Sequence, residues 1–149
     1  MRFSDLICKV PIPFDKKNGQ EVIEKFSSQP PKVQELIFGI SSCSPYLKGL
    51  LNMEYEWVNK VLKKPVLVIE NEFLRLKKIA QSNIWSELRR SKRRIALWSA
   101  LCDLSGIWTL SEVTSTLTKF ADLACELALE AALRIEIQRG SIPGFNSYK

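Results

Sequence analysis

Four arginines within six residues, Arg89, Arg90, Arg93 and Arg94, form the most chemically loaded run in the chain. A guanidinium presents a planar fork of donors that grips a carboxylate or a phosphate through two bonds. Such a cluster suits an acidic protein surface, a nucleotide phosphate or a nucleic-acid backbone. The run belongs to a wider basic segment. Residues 75–94 hold eight Lys and Arg against one acid, Glu87, a net charge of +7. The whole chain carries +6, so the other 129 of its 149 residues sum to −1. The surplus charge is therefore local, and it attracts phosphates or acidic partners. The competing reading is a solvated helix face built of ion pairs.

Other chemistry is missing. The chain has no His, which removes a Ser-His-Asp triad, a Cys-His dyad and any His-ligated metal. The six glycines are scattered and form no phosphate-cradling loop. The aspartates Asp5, Asp15, Asp103 and Asp122 stand far apart, with no Asp-x-Asp. Cys8, Cys43, Cys102 and Cys125 show no C-x-x-C spacing, so they read as reduced and mostly buried small hydrophobes of a cytoplasmic protein. No catalytic, cofactor-binding or metal-binding residue is expected in this chain. Trp85, near the start of the basic helix, could stack on a base or a guanidinium, but packing between helices is the favoured reading. The apolar runs are too short to span a membrane.

The elements that carry these residues are helical. Residues 1–19, with Pro11, Pro13 and Gly19, read as an irregular arm. A short helix fits 20–28. Pro31 fits the first turn of a helix to about Ile40, and Ser44-Pro45 starts another through Leu51. A further helix covers Glu54 to Leu62. The run from Val66 to Gln81, with Ile69, Phe73, Leu76 and Ala80 at helical spacing, is also read as helix. Ile84 to Leu104 begins with the arginines opposite an apolar stripe and becomes apolar all round after Ile95, so it runs from a charged surface into the core. Gly106 stops it. Thr109 and Glu112 make a capping box that opens the longest helix, to about Gln138. Its seam is Val113, Leu117, Phe120, Ala124, Leu127 and Ala131. Residues 140–149 read as a tail. The fold class is all-α, a helical bundle of five to seven helices with two long C-terminal helices, the helical domain covering 20–139.

The stretch ELRRSKRRIALWSALCDLSGIWTLSEVTSTLTKFADLACELALEAAL, residues 87–133, carries a likeness. A Leu-Arg-Arg segment leads into an apolar helix ending in Asp-Leu-x-Gly, then a long helix with Ala-Asp and Ala-Ala-Leu. The matching residues include Leu88, Arg89, Arg90, Arg93 and Arg94, then Asp103, Leu104 and Gly106, then Ala121, Asp122, Ala131, Ala132 and Leu133. Upstream, CSPYLKGLL from Cys43 to Leu51 fits a Ser-Pro-aromatic-Leu helix start. Over roughly residues 30–139 the chain resembles the bifunctional glutamine synthetase adenylyltransferase / adenylyl-removing enzymes. The resemblance implies two nucleotidyltransferase-like halves in the full-length enzyme. One half adds AMP from ATP to a tyrosine of glutamine synthetase, and the other removes it by phosphorolysis. Each half places helices like these before a sheet that bears a Gly-rich turn and a magnesium-binding Asp-x-Asp. Mg²⁺ and ATP are thus implied for the full-length enzyme, with no cofactor in this chain. Met1 fits a natural N-terminus, and the chain stops before the sheet, as a fragment or a truncated product would.

The leading reading is therefore the N-terminal helical portion of such an enzyme, inactive alone. Its Arg89, Arg90, Arg93 and Arg94 would contact the rest of the adenylyltransferase chain or glutamine synthetase. Two alternatives stand beside it: a small basic helical nucleic-acid-binding protein using the same basic face, since DNA reading by the acidic last helix is disfavoured, and a helical protein-interaction adaptor, which needs an exposed apolar patch.

Overall fold

The computed structural model describes residues 2–79 and 81–142. The tail beyond residue 142 and Ala80 lie outside the described residues. Within them the chain is all-α, with eight helices: α1 (Phe3–Leu6), α2 (Lys16–Ile23), α3 (Pro31–Cys43), α4 (Pro45–Met53), α5 (Tyr55–Lys63), α6 (Val68–Lys77), α7 (Ile84–Leu104) and α8 (Leu110–Gln138). The seven helices expected from the sequence are all present. α2 starts earlier than expected because Asp15 caps it, its carboxylate accepting from the backbone N–H of Lys17 and Asn18. α1 is a single extra turn.

Local signals set the other boundaries. Pro31 and Pro45 occupy first-turn positions, where a missing N–H costs nothing. The Ser44 hydroxyl accepts from the N–H of Leu47 at 3.2 Å, capping α4. Pro65 follows the end of α5, and Leu67, at φ 54°, redirects the chain into α6. α8 opens on a complete capping box. The Thr109 N–H donates to the Glu112 carboxylate at 2.7 Å, and the Glu112 N–H donates to the Thr109 hydroxyl at 3.3 Å.

α7 is the centre of the molecule. Its second half, with Ile95, Leu97, Trp98, Leu101 and Cys102, is buried on several sides among α4, α6 and α8. Gly106, at φ 73°, turns the chain back so that α8 packs along α7. The α8 seam is buried at Phe120, Leu123 and Ala131 and half-buried at Val113, Ala124 and Leu127. Leu117 stands at its margin, 41% exposed.

Residues 2–19 are more ordered than their prolines suggest. Phe3 and Ile7 are core residues, and the Phe3 ring lies 5.3 Å from that of Trp98. The N–H groups of Cys8 and Lys9 donate to the Ser105 carbonyl at 2.9 and 3.1 Å. The arm is thereby clasped onto the turn between α7 and α8. It then crosses α3 at Gly39, where a Cβ would lie 2.4 Å from the Pro11 carbonyl oxygen, so only glycine lets the two backbones approach. The arm is irregular where Pro11 and Pro13 forbid helix, and anchored where apolar side chains reach the core.

All four cysteines are free thiols, but only Cys102 is buried. Cys8, Cys43 and Cys125 are exposed, contrary to the expectation of mostly buried thiols, because they fall on outer faces of their segments. Burial pushes the Cys102 thiol up to about 12.

If the arm is part of the core, Phe3→Ala should cost about 3 kcal/mol of unfolding free energy in a urea titration. A loss under about 0.5 kcal/mol would mean that the arm is dispensable.

Candidate functional site

The basic segment meets carboxylates that the local charge count did not include. Glu54 sits between α4 and α5 with 6% exposure, and Glu72 lies on α6 with 5%. A buried carboxylate is costly unless charges and hydrogen bonds compensate it. α7 supplies the compensation. The Nε of Arg93 donates to Glu54 Oε1 at 2.9 Å, and the Nε of Arg94 donates to Oε2 at 2.9 Å. Arg94 also faces Glu72 at 3.6 Å, and its guanidinium lies 5.2 Å from the Trp57 ring. On α6, Arg75 donates to Glu72 Oε1 through Nη2 at 2.6 Å and pairs with Glu87 of α7. The Ser91 hydroxyl completes the set, donating to Glu72 at 2.6 Å and accepting from Arg75 at 2.7 Å.

These contacts have an electrostatic consequence. Burial alone pushes the Glu72 carboxyl up. Hydrogen bonds from Arg75 and Ser91, with the charges of Arg75 and Arg94, outweigh that and leave its pKa below the usual value of 4.5. Glu87 is also lowered, chiefly by its hydrogen bond from Arg75.

The four candidate arginines are thus divided. Arg93 and Arg94 turn inward and tie α7 to the α4–α5 junction. Arg90 reaches Glu87 only at 3.4 Å and remains 48% exposed on its side chain. Arg89 and Lys92 are exposed and form no ion pair among the described residues. Trp85 lies one turn before Arg89 and is 43% exposed, so it is not the packed indole favoured from sequence. It lines a cleft of about 460 Å³ with Ala131, Arg134 and Ile135 of α8. The outward basic surface of α7 is therefore Arg89, Arg90 and Lys92 beside an exposed indole, with Lys77 and Lys78 exposed at the end of α6. Glu54, Glu72 and Glu87 match part of the segment's charge, chiefly that of Arg75, Arg93 and Arg94.

Glu54 and Glu72 were missed from the sequence. Glu72 had a visible signal, since it stands on the apolar stripe of α6, three residues after Ile69 and four before Leu76. An acid in that position needs a buried cation. Glu54 falls between two short helices and carried no such signal.

α8 also exposes apolar side chains, on more than one of its faces. Leu110, Leu117, Leu129, Leu133 and Ile135 are between 38% and 77% exposed. Among the described residues no three His, Cys, Asp or Glu side chains gather as a metal site, and no helix is long and apolar enough to cross a membrane.

Comparison with known proteins places this arrangement. The family model of glutamate-ammonia ligase adenylyltransferase matches residues 35–147, which contain every member of the ion-pair network. A bifunctional glutamine synthetase adenylyltransferase/adenylyl-removing enzyme of Rhodopseudomonas palustris is 33% identical over 118 residues, 75% of this chain and 12% of that protein. Those of a Bradyrhizobium species and of Caulobacter vibrioides are each 31% identical, over 73% and 69% of this chain and 12% and 11% of their own lengths. The chain therefore spans about 12% of the length of the curated relatives it matches. No solved structure matches it.

Because the folded Glu72 is more acidic than the unfolded one, it binds fewer protons between the two pKa values. Its stabilisation is present above pH 4.5 and fades as pH falls through the lower folded value. Glu72→Gln should cost about 2–3 kcal/mol at pH 7, with the gap to wild type closing in urea titrations toward pH 3. A gap that is constant with pH would contradict this.

Proposed function

Since the chain belongs to the glutamate-ammonia ligase adenylyltransferase family, we propose that it is a helical module of an enzyme that adenylylates and deadenylylates glutamine synthetase in the cytoplasm, a function in nitrogen regulation. The observation that carries this reading is the family match across residues 35–147. Residues 20–139, with the arm clasped onto them, form the helical domain that precedes a nucleotidyltransferase domain. ATP and Mg²⁺ belong to that catalytic part. The chain alone is catalytically incompetent, a reading supported by its covering only 12% of its relatives' length.

Within this reading Arg89, Arg90, Arg93 and Arg94 take different tasks. Arg93 and Arg94 hold α7 in place. Arg89, with the outer part of Arg90, is left to grip a carboxylate of the catalytic domain or of glutamine synthetase. The exposed leucines of α8 supply apolar area for the same partner.

Two measurements test this. The purified chain, given glutamine synthetase, ATP and Mg²⁺, should transfer no AMP, and any turnover would contradict its incompetence. Arg89→Ala should weaken binding to the catalytic fragment of the Rhodopseudomonas palustris relative by about five-fold, about 1 kcal/mol, with melting unchanged. Arg94→Ala should instead lower the melting temperature by several degrees, as about 3 kcal/mol of lost buried pairing requires. The opposite pattern would reverse the assignment.

A further inference from the structure

A cavity of about 420 Å³ opens between α5 and α6. Trp57 and Lys60 line it from α5, Lys64 from the cap just after α5, Asn71 and Arg75 from α6, and Arg94 from α7. Its apolar wall comes from the Trp57 indole, Val61 and Val68. The cations are not equivalent. Arg75 and Arg94 are already matched by Glu72, Glu54 and Glu87. Lys60 stands on the last turn of α5 (Tyr55–Lys63) and Lys64 is the residue that caps its end, and both line the cavity. Both are exposed, and neither pairs with a carboxylate among the described residues. The one carboxylate that lines the cavity, Glu72, is held by Arg75 and Ser91.

The cavity therefore combines an aromatic and aliphatic wall with two uncompensated ammonium groups and a free-standing amide. Small-molecule sites have this character, an apolar enclosure with a few convergent polar groups. Two point charges at one cavity suit a doubly charged phosphate better than a single carboxylate. The indole favours a flat ring over a branched aliphatic body. The volume suffices for one ring, a sugar-sized linker and a phosphate.

We propose that this cavity binds a phosphate monoester that carries a planar ring, with the phosphate on Lys60 and Lys64 and the ring against the Trp57 side. The site uses no residue of the outward Arg89 surface. It stands or falls independently of whether the chain serves an adenylyltransferase.

The test is calorimetric titration of the full 149-residue chain with AMP as the probe, and with adenosine and inorganic phosphate as controls. AMP should bind with a Kd of about 0.1–1 mM, and each control at least about ten-fold more weakly. The charge reversal Lys60→Glu with Lys64→Glu, both at exposed positions, should weaken AMP at least about ten-fold without changing the melting temperature. Lys16→Glu with Lys17→Glu, on α2, should leave AMP binding unchanged. No heat from AMP up to about 5 mM would overturn the proposal. So would equal binding of inorganic phosphate, indifference to the Lys60 and Lys64 reversal, or equal weakening by the α2 reversal.

Discussion

Two buried carboxylates organise this molecule. Glu54 sits at the α4–α5 junction and Glu72 on α6; α7 answers the first, and α7 with Arg75 of α6 answers the second. A carboxylate removed from water destabilises the fold unless cations and donors meet it at close range. Here that requirement fixes the position of α7 along and around its axis. The Nε groups of Arg93 and Arg94, each 2.9 Å from a Glu54 oxygen, can reach the two atoms only in one register. Ser91, one turn earlier, serves Glu72 in the same register. With α7 so placed, its apolar second half meets α4 and α6, and Gly106 lays α8 along it.

The same constraint shapes the surface. A run of basic residues looks like one contact patch until the inward-facing members are subtracted. What remains outward on α7 is small: Arg89, Lys92, the rim of Arg90 and the indole of Trp85. An interface built on it would be narrow in charge and would draw its area from the exposed leucines of α8. That combination fits a module that leans against a larger partner, in keeping with relatives of whose length it spans about 12%.

Much of the architecture was legible in the sequence because its signals are local. Pro31, Pro45, Ser44 and the Thr109–Glu112 box mark helix starts through backbone chemistry that needs no tertiary context. The change in α7 from one-sided to all-round apolarity disclosed where it enters the core. The family resemblance rested on the same two helices, and the matched residues 35–147 contain them. Less legible were features set by distant contacts. Nothing local tells that Phe3 meets Trp98, or that Cys8 and Lys9 donate to Ser105 across about a hundred residues. The division within the arginine run was hidden for the same reason. Its neutralising partners, Glu54 and Glu72, lie outside the segment whose charge was counted, and helical spacing cannot show which arginines face them.

The central claim is that the arginine run divides into an internal clamp and an outward remainder. A double-mutant cycle tests it most directly, using Glu54→Gln and Arg94→Gln singly and together, with unfolding free energies from urea titration. The clamp predicts a coupling energy of about 2 kcal/mol between the two sites, and coupling within about 0.5 kcal/mol of zero when Arg89→Gln replaces Arg94→Gln. Negligible coupling between Glu54 and Arg94, or equal coupling to Arg89, would contradict the division.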